Sequence, residues 1–268
     1  MNEQCGKLFN EAYELHVSGR LKEAQAVYEK LLQLDSCNLD ALNLYAQLNF
    51  SLQNYDEALK YFNEVYEKTQ LDDIKINIAK VYIKKLDFEN AVKTLQTVKE
   101  KTAEALRLEA QGYIGLNDYK SAQNSYLEIV NSQNAEVSDI YNLSVCCLQN
   151  GDLNEALKYS LEAARVKPDK ELLFTIGVLY SQTGDDENAV NYFNAVLELE
   201  PGHKNALLNL AKIFQNHDKN VSIKIYKELA EKEPDNASIL AQLCIVYSEM
   251  MNYQAAADTA EKLIKLEP

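Results

Sequence analysis

Apolar residues recur along this chain at the spacing of a helix. The segment 21–35 illustrates the pattern, because Ala24, Tyr28 and Leu31 stand at positions i, i+4 and i+7 with mostly polar residues between them. Residues three and four apart share one face of a helix, whereas successive residues of a strand alternate between two faces. The pattern therefore predicts amphipathic helices that bury one side.

The same pattern returns at a nearly constant interval through the whole chain. The only four prolines are spaced 33, 33 and 34 residues apart, at Pro168, Pro201, Pro234 and Pro268. A fixed interval of this length indicates an internal repeat. Alignment of the segments predicts eight units, which begin near Cys5, Leu39, Asp72, Ala103, Val137, Lys170, Lys204 and Ala237.

Two positions of each unit carry small side chains, with one in each half of the unit. In the second half they are Ala24, Ala58, Ala91, Ala122, Ala156, Ala189, Ser222 and Ala256. In the first half they are Ala12, Ala46, Ala79, Ala110, Ser144, Gly177, Ala211 and Cys244. Small side chains let neighbouring helices approach closely. Turn-forming pairs such as Gly151-Asp152 separate the halves, so each unit is predicted to be a helix–turn–helix.

This arrangement resembles the tetratricopeptide repeat family, whose unit is a helix–turn–helix of 34 residues. The resemblance covers essentially the whole chain. It implies an all-α, right-handed superhelical solenoid of about eight units, forming a single domain over residues 1–268, with the first helices lining a concave groove.

Two departures from the family pattern predict local irregularities. Lys75 stands where the other units carry an aliphatic residue, in a third unit that begins only 31 residues before the fourth. The seventh unit has lost a turn residue near 215–218. We expect the pitch of the solenoid to change at both places.

Composition and charge disfavour several classes of protein. The chain has 41 acidic against 27 basic residues and a formal charge of −14, whereas a nucleic-acid binder needs a basic face. No apolar run approaches the roughly 18 residues of a membrane span, and the N-terminus lacks the order of a signal peptide, so a cytoplasmic location is expected. The five cysteines include no C-x-x-C pair, which predicts neither a disulfide framework nor a zinc site.

No catalytic constellation is evident. The three histidines, His16, His203 and His217, lack a cysteine or a pair of carboxylates at ligand spacing. Phosphate-binding, nucleophile-elbow and metalloprotease motifs are also missing. Cys146 and Cys147 point apart on a helix, and the second occupies a core position. We therefore expect a protein that is not an enzyme and holds no cofactor or metal.

One register position carries asparagine in every second unit, at Asn10, Asn77, Asn142 and Asn209. An asparagine amide both donates and accepts, so a row of them can pair with the backbone of an extended peptide. The row is similar to a half-populated version of the asparagine ladder in the superhelix of O-linked N-acetylglucosamine transferase. Chance placement in an asparagine-rich chain is the alternative.

A basic spot interrupts the predicted groove. Lys80 and Lys84 lie one helical turn apart and are expected to face Arg107, with Lys212 further along. In so acidic a chain this spot is a candidate binding site for a carboxylate or a phosphate group. The alternative is that these are ordinary solvated side chains. The spacing does not match the carboxylate clamp of chaperone-binding family members.

Three functions remain open at this point. The first is a scaffold whose groove binds an extended, partly apolar and possibly acidic segment of another protein. The second is the recognition arm of a larger enzyme, such as a glycosyltransferase, whose catalytic domain lies beyond residue 268. The third is a self-assembling scaffold, because the closing residues 263–268 are predicted to leave apolar surface bare at the last unit.

Overall fold

A computed structural model describes residues 3–266, which form sixteen α-helices and no strand. The first helices of the eight units are α1 (Glu3–Val17), α3 (Leu39–Ser51), α5 (Asp72–Lys84), α7 (Ala103–Gly115), α9 (Val137–Gln149), α11 (Lys170–Gln182), α13 (Lys204–His217) and α15 (Ala237–Glu249). The second helices are α2 (Leu21–Leu34), α4 (Tyr55–Thr69), α6 (Phe88–Gln96), α8 (Tyr119–Val130), α10 (Leu153–Val166), α12 (Asp186–Leu199), α14 (Lys219–Lys232) and α16 (Tyr253–Leu266).

The predicted all-α repeat architecture is confirmed. From the second unit onward each first helix begins at the residue that the alignment gave, and α1 begins two residues early, at Glu3. Residues 3–266 pack as two compact units divided between Asp139 and Ile140. The prediction of one domain over residues 1–268 stays a prediction.

The small residues of the repeat lie where the helices pack most closely. All eight in the second halves are buried, and so are those of the first halves except the half-buried Cys244. At Gly177 the approach is so close that an added Cβ would lie 2.7 Å from Cε1 of Phe193. Bulky side chains, among them Tyr28, Phe62 and Tyr226, fill the rest of the core.

A three-residue turn joins the two helices of every unit except the seventh. The middle residue of the turn has a left-handed backbone, at Gly19, Gln53, Leu86, Asn117, Gly151, Gly184 and Met251. In the seventh unit Asp218 alone separates α13 from α14, and its carboxylate accepts hydrogen bonds from the backbone N–H groups of Asn220 and Val221. The missing turn residue is thus replaced by one residue that ends the first helix and caps the second.

The third unit is short because its second helix, α6, has nine residues. Two lysines satisfy carbonyl groups at its end. Lys75, the departure from the aliphatic pattern, is buried and donates to the Thr97 carbonyl oxygen at 2.7 Å. Lys101 donates to the Leu95 carbonyl oxygen and to both carboxylate oxygens of Glu109. The unexpected lysine therefore caps a truncated helix.

None of the helices described between residues 3 and 266 combines the length and the apolar character of a membrane span.

Candidate peptide-binding surface

Side chains from three successive first helices meet in one concave pocket of the first compact unit. Its volume is about 310 Å³. Helices α1, α3 and α5 all contribute to it, and one side chain comes from α4. The lining residues are His16, Gln47, Phe50, Ser51, Phe62, Asn77 and Lys80.

Helical spacing explains why these side chains converge. Asn77 and Lys80 are three residues apart on α5, and Gln47, Phe50 and Ser51 have the same kind of spacing on α3. Residues three and four apart are neighbours on a helix surface. Parallel placement of equivalent helices then brings their equivalent faces together. Two of the residues singled out from the sequence, Asn77 and Lys80, therefore belong to one pocket.

Lys80 is paired within the chain. Its Nζ lies 2.6 Å from Oε1 of Glu104 and donates a longer hydrogen bond, of 3.4 Å, to Oδ1 of Asn77. Glu104 is more than half exposed. An ion pair with one exposed partner contributes little stability and exchanges readily with other ions. The cation is thus present in the pocket, and the exposed carboxylate of Glu104 covers it.

Lys84 and Lys212 are exposed, and neither makes a hydrogen bond or an ion pair with the rest of the described chain. Lys84 follows Lys80 by one turn of α5, on the same face. It therefore leaves an uncompensated positive charge beside the pocket.

Arg107 is committed to a structural contact. Its Nε and Nη2 donate to the two carboxylate oxygens of Asp139 at 2.9 and 2.8 Å, and Nη2 also donates to the Asn134 carbonyl oxygen and pairs with Glu136. Asp139 is 1% exposed. This fork-to-fork pairing holds the connection between α8 and α9 against α7.

Burial by itself would raise the pKa of the Asp139 carboxyl. The hydrogen bonds from Arg107 and from the backbone N–H of Glu136, together with the charge of Arg107, outweigh that effect and hold this pKa below its ordinary value. The carboxylate is therefore ionised in the folded protein, and Arg107 is its counter-ion.

The four asparagines of the register position differ in their side-chain hydrogen bonds. Asn10 and Asn142 make no side-chain hydrogen bond to the described residues, whereas Asn77 accepts from Lys80. The Nδ2 group of Asn209 donates to the Asn205 carbonyl oxygen of its own helix at 2.8 Å. Asn10 and Asn77 belong to the first compact unit, and Asn142 and Asn209 to the second. The ladder itself stays a prediction.

Sequence reasoning did not assign His16, Phe50, Ser51 or Glu104 to this surface. His16 and Phe50 share one register position, which is not that of the asparagines, so the signal that singled out Asn77 does not include them. Burial lowers the pKa of His16, which favours the neutral imidazole and leaves it able to donate and to accept. Glu104 gives no sequence signal, because its pairing with Lys80 depends on how α7 packs beside α5.

The other candidate chemistry resolves into structural roles. His203 Nδ1 accepts from the backbone N–H of Ala206 and caps α13, and His217 Nε2 lies 2.7 Å from Oδ2 of Asp186. Cys146 and Cys147 are fully buried, and burial raises the pKa of the Cys146 thiol to about 11. Within residues 3–266, no three His, Cys, Asp or Glu side chains are grouped as metal ligands.

Family models described as tetratricopeptide repeats match residues 17–73, 140–170, 171–203 and 205–236, together more than half of the chain. Among solved structures, the C-terminal part of a repeat-containing protein from Cytophaga hutchinsonii is similar, with a TM-score of 0.68 and 19% identity, covering 84% of this chain and 95% of that one. YrrB, described as a TPR protein with an unusual peptide-binding site, has a TM-score of 0.60 and 16% identity, covering 68% of this chain and 96% of that one.

A curated relative is much longer than this chain. The protein O-mannosyl-transferase TMTC3 of Homo sapiens is 25% identical over 231 residues, which are 85% of this chain and 22% of the relative. The chain thus spans less than a quarter of that protein.

Proposed function

Since this chain belongs to the tetratricopeptide repeat superfamily, whose repeats form protein-binding scaffolds, we propose that it is a non-catalytic scaffold. The ligand is an extended, partly apolar segment of another protein, and it binds along the first helices. The family membership supports a protein-interaction role, and the residues of the first helices support this particular surface.

The observation that carries the proposal is the pocket shared by α1, α3 and α5. It combines the phenyl ring of Phe50 with the polar groups of His16, Gln47, Ser51 and Asn77. Apolar area flanked by a few polar groups that both donate and accept suits a peptide, whose backbone needs both kinds of partner. The fold is compatible with this role, since YrrB is described as having a peptide-binding site.

The positive charges define the expected sequence of the ligand. Among the described residues Lys84 has no ion-pair partner, and the exposed Glu104 is the carboxylate that pairs with Lys80. An acidic residue of the ligand would take the place of Glu104 on Lys80 and would also approach Lys84. Arg107 contributes no free positive charge, because it pairs with Glu136 and Asp139, and it cannot leave Asp139 without leaving a buried carboxylate unpaired. The segment is therefore partly apolar with at least one acidic residue.

Peptide display tests the proposal without a known partner. A library of random peptides is selected on the wild-type chain, and the selected peptides are then measured against Asn77→Ala, Lys80→Ala and Lys84→Glu. Hydrogen bonds to charged groups contribute about 1.5–3 kcal/mol, so the lysine variants should bind roughly 10- to 100-fold more weakly. Lys120→Glu, an exposed charge reversal on α8, is the matched control and should bind normally.

Substitution of Arg107 would be a poor test of binding, because it would also break the contact with Asp139. If the selected peptides lack acidic residues, or bind all three variants as well as the wild type, the surface is wrongly assigned.

Asn10 belongs to the same compact unit as the pocket around Asn77. In the second compact unit, Asn142, Asn209 and Lys212 are the proposed peptide-binding residues. Lys212→Glu should weaken peptides that bind the second unit and leave those that bind the pocket around Asn77 unchanged.

A second candidate function is favoured by the similarity to human TMTC3. That protein is an O-mannosyl-transferase, and this chain matches 22% of its length. In this second function the repeats are the substrate-recognition arm of a longer transferase. Determining the complete transcript tests it: further coding sequence with a catalytic domain is the expected result, and a transcript that encodes only the repeats would exclude the arm.

A further inference from the structure

A second pocket, of about 280 Å³, lies between the start of α12 and the end of α13, within the second compact unit. Its apolar lining residues are Val190, Ile213 and Phe214, and its polar ones include Asp186, Glu187 and His217. Glu187 and His217 are exposed, and the Asp186 side chain is 36% exposed. The polar groups therefore lie at the mouth of the pocket, where a ligand can reach them.

The repeat explains why this space is open. The first residue of the second helix is apolar and half-buried in the first five units, at Leu21, Tyr55, Phe88, Tyr119 and Leu153. The Phe88 ring packs against Gly115 at the end of the next first helix and leaves no room there for a Cβ. In the eighth unit, which no further first helix follows among the described residues, the equivalent Tyr253 is 68% exposed. In the sixth unit this residue is Asp186, so the apolar side chain that would cover the facing helix is missing.

Lysines pair with carboxylates at two other junctions between successive units. Lys85, directly after α5, forms an ion pair with Asp56 near the start of α4. Lys219, the first residue of α14, lies 3.4 Å from a carboxylate oxygen of Glu249 at the end of α15. A cation at this edge of the repeat thus joins the start of one second helix to the end of the next first helix.

The junction between α12 and α13 has no such lysine. The register counterpart of Lys85 is His217, whose Nε2 lies 2.7 Å from Oδ2 of Asp186. A histidine can hydrogen-bond to one carboxylate oxygen, but it carries no permanent positive charge. Glu187 makes no ion pair with the rest of the described chain. The two carboxylates complement the dipole of α12, but the dipole gives no reason for the apolar space beside them.

We propose that this pocket binds the side chain of an arginine from a partner protein. The aliphatic stem would lie against Val190 and Phe214, where the other units place an apolar residue. The guanidinium group would donate to Asp186 and Glu187, where other junctions place a lysine. Arginine combines a long apolar stem with five N–H donors, so one side chain supplies both missing parts.

The charge of the whole chain is complementary to such a partner. A formal charge of −14 favours the approach of a basic segment. The site shares no residue with the pocket around Asn77, so it does not depend on the function proposed above.

N-acetyl-arginine methylamide is a suitable probe, and N-acetyl-citrulline methylamide is its control, because citrulline has nearly the shape of arginine without the charge. The methyl groups of Val190 and Ile213 report on the pocket in NMR spectra of methyl-labelled protein. The arginine probe should shift both resonances saturably. The citrulline probe should bind at least about tenfold more weakly, because hydrogen bonds between charged groups are the stronger ones.

Two substitutions on α12 test the pocket itself. Asp186→Leu restores the apolar residue of the other units, so it fills the space, removes a carboxylate and should weaken binding of the arginine probe by about tenfold or more. Glu187→Gln removes the second carboxylate and should also weaken binding. Glu198→Gln is the matched control at an exposed position further along α12, and it should bind the probe normally.

A pair of substitutions at His217 separates charge from hydrogen bonding. His217→Lys supplies a permanent cation from within the chain, as Lys85 does, and should weaken binding of the arginine probe. His217→Gln keeps a hydrogen-bonding group without that charge and should bind the probe like the wild type.

Thermal unfolding followed by circular dichroism verifies that each variant is folded. The proposal is overturned if the wild type shows no saturable shift of the two methyl resonances, or if the citrulline probe binds as tightly as the arginine probe. It is also overturned if Asp186→Leu and Glu187→Gln both bind the arginine probe unchanged.

The source of the arginine is tested separately by sedimentation of the wild type and Asp186→Leu. A monomeric wild type, or self-association that Asp186→Leu leaves intact, supports a different protein as the source. Self-association that Asp186→Leu abolishes would show that a second copy of this chain fills the pocket, and would overturn the assignment to another partner.

Discussion

Ser160 and Ser222 are fully buried serines on second helices, and their hydroxyl groups are in opposite situations. Ser222 Oγ donates to the Ala211 carbonyl oxygen at 2.8 Å, whereas Ser160 Oγ has no hydrogen-bond partner. A buried polar group without a partner costs about 1–3 kcal/mol. Ser160→Ala should therefore raise the free energy of unfolding by about 1 kcal/mol, measured by urea denaturation.

Ser222→Ala is the matched control for that substitution. It removes a satisfied hydroxyl and should lower the free energy of unfolding by about 1 kcal/mol. Equal effects of the two substitutions would mean that the Ser160 hydroxyl is satisfied in solution.

Leu86 occupies the left-handed middle position of its turn with φ of 59°, and its side chain is 73% exposed. The left-handed region costs a non-glycine residue about 1–2 kcal/mol, while glycine adopts it freely. Glycine also makes the unfolded chain more flexible, which offsets part of the gain. Leu86→Gly should raise the free energy of unfolding by about 0.5–1 kcal/mol in a denaturant titration.

The reverse substitution, Gly184→Ala, places a side chain at φ of 82° in the equivalent turn. It should lower the free energy of unfolding by about 1 kcal/mol. Should Leu86→Gly destabilise the chain instead, contacts of the Leu86 side chain outweigh its backbone strain.

At the level of single residues, the sequence located side chains better than it located their partners. The register put Asn77 and Lys80 on one face of α5, and they line the same pocket. Register cannot reveal that Lys80 pairs with Glu104 or that Arg107 pairs with Asp139, because each pairing depends on packing between helices of different units. The sequence suggested that the positive charge of Arg107 is free to bind a ligand, but its guanidinium group is already paired with Asp139.

At the level of helices, periodicity predicted nearly all of the architecture. Seven first helices begin where the alignment placed them, because small and bulky positions recur in the same order in each unit. The end of α6 was not predictable in this way. It depends on Lys75 and Lys101, which donate to the carbonyl groups of Thr97 and Leu95 from other elements.

The pairing of Arg107 with Asp139 predicts a dependence of stability on pH. The pKa of Asp139 is depressed in the folded chain, so its contribution is complete above the unfolded carboxyl pKa of about 3.9 and is lost as the pH falls through the folded value. Asp139→Asn should lower the free energy of unfolding at pH 7 by about 3 kcal/mol. Between pH 4 and pH 2 the free energy of unfolding of this variant should fall less than that of the wild type. Urea denaturation at several pH values measures both effects.

Asp152→Asn is the control, since Asp152 is exposed and makes no capping hydrogen bond. It should leave stability nearly unchanged at pH 7. If the wild type and Asp139→Asn lost the same amount of stability in acid, Asp139 would not contribute to the acid transition.

For the molecule as a whole, the prediction of self-association now rests on α16. Leu243 and Tyr247 are buried, but Ile264 is 65% exposed and Leu266 is also exposed. Residues 267–268, named in the sequence prediction, lie outside the described residues. We expect concentration-dependent self-association in sedimentation, and a monomer after Ile264→Lys with Leu266→Glu, which avoids the half-buried Leu263.

Leu199→Lys is the control at the end of α12, where Leu199 is 62% exposed. It should leave the self-association intact. A wild type that is monomeric at the highest concentrations reached would refute the role of α16.

The recurring three-residue turn gives the repeats equivalent ends. Because the backbone passes from first to second helix in the same way at Gly151 and at Gly184, a segment that begins in one turn and ends in the other has compatible ends. Duplication or loss of that segment within the gene would lengthen or shorten the protein by one whole repeat without creating a new junction. Asp218 interrupts this equivalence, so growth of the array by recombination would be confined to the other turns.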